Sequence, residues 1–354
     1  MKILLLVKGL GEYSQAQAVA KQLAKQGEEI TFLANNKFLF DVIRADLSNL
    51  HTFETEEELR SFLMATSADA LFLCNSHTTM TYNLSRSPHI KKVFSLDSNW
   101  LFNNEIYPDY FQTYPWIDTC YVVFPQTFFE SNLSSNGGYF DISSYFLKKI
   151  ITPGFVPVGD KLTDDQKQDC KKKLGVKDSE KLILIYFGTN HFLPQSFIDL
   201  GSLAYNTVCE IIENISQKHK TSIKTINLTT ENKIYLKNNT TQDYNTLVSS
   251  ADLMIMHHGY GTLPKLLHNT VPVISFTEHP IPKKIISFHE LMPLIKADAV
   301  KHFFFDGFDR TLLHGQIEDL LFDSKSIQDM ISNQQKIFIN GEDALLKHFY
   351  GQFE

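Results

Sequence analysis

The strongest constraint in this sequence is a repeated alternation: a short apolar run, a turn, an amphipathic segment at helical spacing, then another apolar run. ILLLV (3–7) is apolar throughout, as a strand covered on both faces of a parallel sheet must be. KGLGE (8–12) follows as a turn. Ser14 stands at the expected N-cap, with Gln17 completing a capping box. Ala16, Val19, Ala20, Leu23 and Ala24 recur at helical spacing, and Gly27 closes the helix. EITFLAN (29–35) is the next strand, followed by a helix around 56–66 and strands at 69–74, 92–97 and 119–124. Repeated β–α–β units of this kind predict a doubly wound parallel sheet.

A second series begins after KIITPGFVPVGD (149–160), whose prolines and glycines read as a linker. KLILIYFG (181–188) is a buried strand ending in a tight turn, and a helix follows from roughly 195 to 219. Strands at 222–228 and 232–237, a helix near 242–250 and the strand DLMIMHH (252–258) come next. GTLPKLLHN (261–269) reads as a helix, with Pro264 tolerated because it falls in the first turn. PVISF (272–276) is a strand, and the remainder is mostly helical. At about 150 residues per domain, 354 residues divide into two Rossmann-like halves with a cleft between them. Ligands of open α/β sheets sit outside the carboxyl ends of the strands, so the residues just after each strand are the functional candidates.

Composition removes other classes. With 43% apolar and 21% charged residues, the chain is neither disordered, nor collagen-like, nor a membrane bundle. A formal charge of −7, from 33 Lys+Arg against 40 Asp+Glu, argues against gripping nucleic acid through its phosphates. No apolar run approaches the ~18 residues that span a bilayer. MKILLLV is ended by Lys8, too soon for a signal-peptide core, so the expected location is the cytoplasm. Cys74, Cys120, Cys170 and Cys209 lie far apart, which suggests neither a zinc site nor a disulfide framework. There is no Asp-x-Asp and no HExxH among the thirteen histidines, so no metal ligand set is expected.

The chemistry concentrates in ADLMIMHHGYGTLPKLLHNTVPVISF (251–276). A buried strand delivers His257 and His258 to its carboxyl end, Gly259 and Gly261 flank Tyr260 and allow a close backbone approach, and Thr262 opens a helix. A glycine turn feeding a helix gathers unpaired N–H groups and the positive end of the helix dipole, which suits an anion. An imidazole beside it donates to a phosphate oxygen. The same residues also read as an ordinary Gly-rich turn with two locally satisfied histidines.

The HHGYGT hexapeptide, the AD–strand before it and the VPVI after it resemble the donor-binding core of GT-B glycosyltransferases. The branch is that of the UDP-glycosyltransferases and the bacterial lipid II-forming GlcNAc transferase. Further segments agree in order: GEYSQAQAVAKQLAKQG (11–27) is similar to the first acceptor-side loop and helix. PVGDKL…KKLGVKDSEKLILIYFGT (157–189) is similar to the interdomain linker and the first donor-domain strand. The resemblance implies two Rossmann-like doubly wound domains facing across a cleft: an acceptor domain at 1–152, a linker at 153–159 and a donor domain at 160–330. Final helices at 331–354 are then expected to pack back toward the first domain. It also implies that His257, His258, Gly259, Tyr260, Gly261 and Thr262, with Gly11, Gly188 and Thr189, hold the diphosphate of a nucleotide sugar, most simply UDP. No cofactor is implied, since the nucleotide sugar is the substrate.

Two departures from the family pattern are informative. Lys265 stands where the family often has a ribose-binding Glu, and an ammonium donates hydrogen bonds where a carboxylate accepts them. Glu278, just past the next strand, is the substitute carboxylate in reach of that role. The acidic-Gln pair of the family is absent from FTEHPIP (276–282). Inverting transfer needs a base to take the acceptor hydroxyl proton. Alignment of the first loop places Glu12 there, with Asp97 at the end of VFSLD as the second candidate, either as base or as orienting partner. Glu12 also reads as a solvated charge at a helix terminus. His77, in CNSHTT after a strand, is a weak acceptor-side candidate.

Residues 100–146 hold 15 of the 44 aromatics and both tryptophans, Trp100 and Trp116. They read as an aromatic core beneath a long connection, with an acceptor-lining surface or a weak peripheral membrane contact as the other uses. The expected activity is inverting, metal-independent sugar transfer from a nucleotide diphosphate sugar to a hydroxyl of a sugar, glycan, lipid or peptide. A sugar-nucleotide epimerase or hydrolase on the same fold, and a non-catalytic binding subunit, are the alternatives.

Overall fold

The computed structural model describes residues 1–7, 10–35, 49–74, 87–97, 117–128, 148–157, 159–187, 195–228, 241–257, 261–279 and 287–354. The chain forms two units: Met1–Val158 with Ile339–Glu354, and Gly159–Phe338. The first unit therefore holds both ends of the chain.

In the first unit, β1 (Lys2–Val7), β2 (Glu29–Asn35), β3 (Leu50–Phe53), β4 (Ala68–Cys74), β5 (Ile90–Asp97), β6 (Thr119–Val122) and β7 (Ile150–Ile151) build one sheet. Its order is β3-β2-β1-β4-β5-β6-β7, and every pairing is parallel. Leu4 and Leu71 on one face and Leu5 and Phe72 on the other are sealed from solvent, as a sheet covered on both faces requires. Helix α1 (Leu10–Lys25) starts a turn earlier than the capping signal predicts. Ser14 is thus inside the helix, and Gly11 and Glu12 belong to its first turn rather than to a loop. Tyr13 explains the extension. Its ring is 1% exposed and lies 5.6 Å from that of Phe32, so the apolar stripe through Ala16, Ala20 and Leu23 begins at Tyr13, just before the expected cap residue Ser14.

Helix α2 (Glu56–Ala65) is capped by Thr55, which accepts from the Glu58 amide. The stretch read as a linker is partly structural: β7 joins the sheet, and Phe155 exchanges backbone hydrogen bonds with Ile339 and Gly341. The return of the chain, expected from about 331, starts at Ile339. The returning helix puts Phe349 against Phe72 and Phe94, with ring centroids 5.6 and 5.2 Å away. Its His348 Nδ1 is 2.9 Å from the Tyr121 hydroxyl, and Tyr350 donates to Glu28, which also holds the N-terminal amine. Of the aromatic-rich stretch, Tyr121, Phe124 and Phe128 lie in the core, while Trp100 and Trp116 fall outside the described residues.

The second unit carries β8 (Lys181–Tyr186), β9 (Ile223–Asn227), β10 (Leu253–His257), β11 (Val273–Thr277) and β12 (Lys301–Phe304), ordered β12-β11-β10-β8-β9 and all parallel. Its helices are α3 (Asp164–Lys173), α4 (Gln195–His219), α5 (Thr241–Ser249), α6 (Leu263–His268), α7 (Ser287–Lys296), α8 (Arg310–Phe322) and α9 (Ser324–Ile337), and α10 (Glu342–Tyr350) is the helix returning to the first unit. Helix α3 has a full capping box, Thr163 with Gln166. Helices α4 and α8 cover one face of the sheet: Val208, Ile211 and Ile215 with Leu313, Ile317 and Leu320 share a core with Ile183, Ile255 and Phe276. Buried Gln334 on α9 donates to the carbonyls of Val271 and Ala299, fixing the approaches to β11 and β12. The strand predicted at 232–237 lies outside the described residues.

Two glycines give opposite expectations. Gly154 has φ +119°, and an added Cβ would lie 2.6 Å from the Ile339 carbonyl oxygen. Gly315, inside α8, has open space where a Cβ would go. Gly154→Ala is expected to destabilise by about 1–3 kcal/mol, and Gly315→Ala to stabilise by about 0.5–1 kcal/mol. Urea unfolding of both variants checks this.

Candidate functional site

β10 is the central strand of the second sheet, flanked by β8 and β11. Parallel register brings three strand ends to one edge: Met256 is opposite Tyr186, and His257 is opposite Phe276. The start of β10 is pinned by Asp252, which accepts from the Leu182 amide at 2.7 Å and from Lys171 Nζ at 2.7 Å. The Ala-Asp before the strand thus sets its register, and that register decides which side chain arrives last. It is His257.

The His257 Nε2 lies 2.8 Å from Glu278 Oε1, with the two side chains 17% and 11% exposed. The carboxylate expected to replace a missing ribose ligand is therefore engaged with the imidazole. Behind it, the Thr277 hydroxyl donates to the Glu278 carbonyl at 3.1 Å. Having one proton to give, that hydroxyl accepts from His302 Nε2 at 2.8 Å, which places the His302 proton on Nε2. His302 is pushed down to about 4 by burial and by neighbouring His279, so it stays neutral near pH 7. His279 stacks on Phe304 at 4.1 Å. The backbone under Glu278 is held by neutral groups, leaving the carboxylate to the imidazole.

Past the strand, Gly261 and Thr262 lead into α6, only six residues long, with Pro264 in its first turn. Thr262 makes no side-chain cap bond to the helix; its hydroxyl bonds the Tyr244 phenol from α5, which burial pushes above the ordinary tyrosine range. Lys265 is 5% exposed, and its Nζ sits over the Tyr244 ring, 5.7 Å from the centroid. Burial alone lowers its pKa to about 7. Tyr186, at the end of β8, is close enough to Tyr244 to be shifted upward with it. Asn245, next to Tyr244, is also 5% exposed and neither of its side-chain polar atoms is hydrogen-bonded.

The structure thus brings together His257, Gly261, Thr262, Lys265 and Glu278 at one end of the second sheet. His258, Gly259, Tyr260, Gly188, Thr189 and His77 lie outside the described residues. Glu12 is in the first turn of α1, just after β1, and Asp97 ends β5, so both backbones stand at the carboxyl edge of the first sheet. Sequence reasoning missed Tyr244, Asn245 and His302. The helix TQDYNTLVS immediately before the histidine-bearing strand was the signal available for the first two. Among the described residues, no group of three or more His, Cys, Asp or Glu side chains could hold a metal ion, and no helix is long and apolar enough to cross a membrane.

No protein-family model matches the sequence, and no curated protein matches it. Solved structures match over the whole chain. The spinosyn forosaminyltransferase SpnP is similar at 12% identity and TM-score 0.60, covering 100% of both chains. A UDP-N-acetylglucosamine 2-epimerase is similar at 12% identity and TM-score 0.60, covering 100% of this chain and 97% of its own. MnaA from S. aureus, solved with UDP, is similar at 11% identity and TM-score 0.62, covering 98% of this chain and 95% of its own. The fold is the GT-B fold, which glycosyltransferases and UDP-GlcNAc 2-epimerases share.

The buried amine gives a test of the local geometry. Between about pH 7 and 10.5, Lys265 carries fewer protons folded than unfolded, so its contribution to stability rises with pH across that window. Relative to Lys265→Met, the wild type is expected to gain on the order of 1 kcal/mol per pH unit there. Urea unfolding at pH 7.5 and 9.5 measures it; parallel pH dependence of the two proteins would refute the buried amine.

Proposed function

We propose that this chain transfers a sugar from a nucleoside diphosphate sugar, with UDP as the nucleotide, to a hydroxyl acceptor in an inverting step that uses no metal. The observation that carries the reading is His257, set at the carboxyl end of the central strand beside Gly261 and Thr262 in a GT-B fold. A solved neighbour of that fold was captured with UDP. In this reaction the acceptor oxygen attacks the anomeric carbon from the side opposite the diphosphate. The bond from that carbon to the phosphate oxygen breaks, and the acceptor proton passes to Glu12, with Asp97 as the second candidate or its orienting partner. His257 and the turn from His258 to Thr262, with Gly11, Gly188 and Thr189, take the departing diphosphate. Glu278 holds the His257 ring for that contact.

A second reading keeps the fold and changes the reaction. An epimerase matches as well as a transferase does, each at TM-score 0.60. An epimerase or hydrolase consumes the nucleotide sugar without any acceptor, which separates the two.

UDP at about 100 times its dissociation constant should raise stability by roughly 2.7 kcal/mol, seen as a shift in thermal unfolding that His257→Ala abolishes. With UDP-glucose or UDP-GlcNAc, UDP release is expected only when an acceptor is supplied. Glu12→Gln should then slow turnover about 100-fold or more while leaving the UDP shift intact. UDP release without acceptor would favour the hydrolase reading, and conversion of the nucleotide sugar to its epimer without UDP release the epimerase reading; absence of any UDP shift would overturn all of them.

A further inference from the structure

Buried Lys171 in the same unit meets the Asp252 carboxylate at 2.7 Å, and partly buried Lys167 and Lys224 donate to the carbonyls of Asn269 and Leu174. Lys265 is buried more deeply, and among the described residues no carboxylate meets it. Its Nζ faces the Tyr244 ring. A cation over a tyrosine face recovers only part of the desolvation cost of an uncompensated ammonium. The amine therefore rests largely neutral above pH 7, consistent with burial holding it at about 7.

The surroundings leave the counter-charge to come from outside the chain. Helices α5 and α9 pack against α6. α5 presents the Tyr244 phenol, raised by burial and so neutral at working pH. α9 carries Lys325, Asp329 and Lys336, and none of these acts on Lys265, whose shift has burial as its sole cause. His268, on α6 itself, is pulled down by burial, and Tyr186 from β8 is raised. Thr262 and unbonded Asn245 add polar groups on the same two segments.

We propose that Lys265 is the charge-bearing residue of a phosphoryl-binding subsite beside the Gly261–Thr262 turn, and that an anion entering this subsite draws a proton from solvent onto Nζ. No covalent bond to the ligand forms. The lone pair of Nζ takes the proton, and the resulting ammonium donates to phosphate oxygens, which only accept. A vicinal diol brings no negative charge and does not drive this protonation. The inference deepens the nucleoside diphosphate reading and rests on it for the identity of the ligand: Lys265 meets the diphosphate, and the nucleotide is held elsewhere.

Titration calorimetry of the full chain at pH 8, in buffers of low and high ionisation heat, tests it with UDP, uridine and inorganic pyrophosphate. Wild type, Lys265→Met and Lys265→Gln are compared. Wild type should take up about one more proton per bound UDP or pyrophosphate than either variant. Its Kd for UDP should weaken about tenfold from pH 8 to 9, a slope absent from the variants. Uridine should bind alike to all three proteins. Equal proton counts and equal slopes for the three proteins would overturn the subsite, as would binding of neither anion. Lys265-dependent proton uptake with pyrophosphate alone would uphold the subsite while removing the nucleotide from the reading.

Discussion

Everything at the candidate site depends on the register of β10, and one carboxylate sets that register. Asp252 accepts from the Leu182 amide, near the start of β8, and from Lys171, so β10 is fixed against β8 before its five residues begin. From there the parallel pattern leaves no freedom. His257 must arrive opposite Phe276, one residue short of Thr277 and two short of Glu278. A slip of one residue would turn His257 to the face of the sheet opposite Glu278 and break their contact. The imidazole–carboxylate contact is a consequence of sheet geometry rather than of local sequence.

That dependence explains what could be read from the sequence and what could not. Continuous apolar runs can only be strands covered on both faces, and the 25-residue amphipathic segment is long enough to be only a helix, so both appear where expected as β8, β10 and α4 (Gln195–His219). The start of α1 was misread because Ser14 is a good cap, but the burial of Tyr13 outweighs a cap bond of about 1 kcal/mol. The positions of His257, Thr262, Lys265 and Glu278 were marked in the sequence; their partners were not. Tyr244 precedes Lys265 by 21 positions and His302 follows Thr277 by 25, and only the packing of α5 on α6 and the β11–β12 register join them. Pairings across that distance leave no periodic trace.

The site holds two nitrogen bases in opposite electrostatic surroundings. His257 has a carboxylate at contact distance within the protein. Lys265 has an aromatic face and two hydroxyls nearby, groups that can solvate an amine but cannot neutralise an ammonium. Bringing one anion to both changes them differently. The histidine keeps its carboxylate and gains a further acceptor. The lysine changes from a largely neutral group to a charged one. A leaving diphosphate gathers negative charge as its bond to the sugar breaks, and a group that becomes cationic beside it favours that stage over the resting state.

Stability alone would not place an amine there. Methionine fills a similar volume without the desolvation cost, and buried polar groups are retained at a cost only where something other than packing requires them. Three such groups cluster on α5 and the turn into α6: Lys265 without a carboxylate, Asn245 without a hydrogen bond, and Thr262 diverted from capping its own helix to hold Tyr244. Elsewhere in the second unit Gln334 donates to two carbonyls, and Asp252 accepts from an amide and an ammonium. Two of the three, Thr262 and Lys265, stand just after the histidine strand, which is where a parallel sheet presents a ligand to its protein.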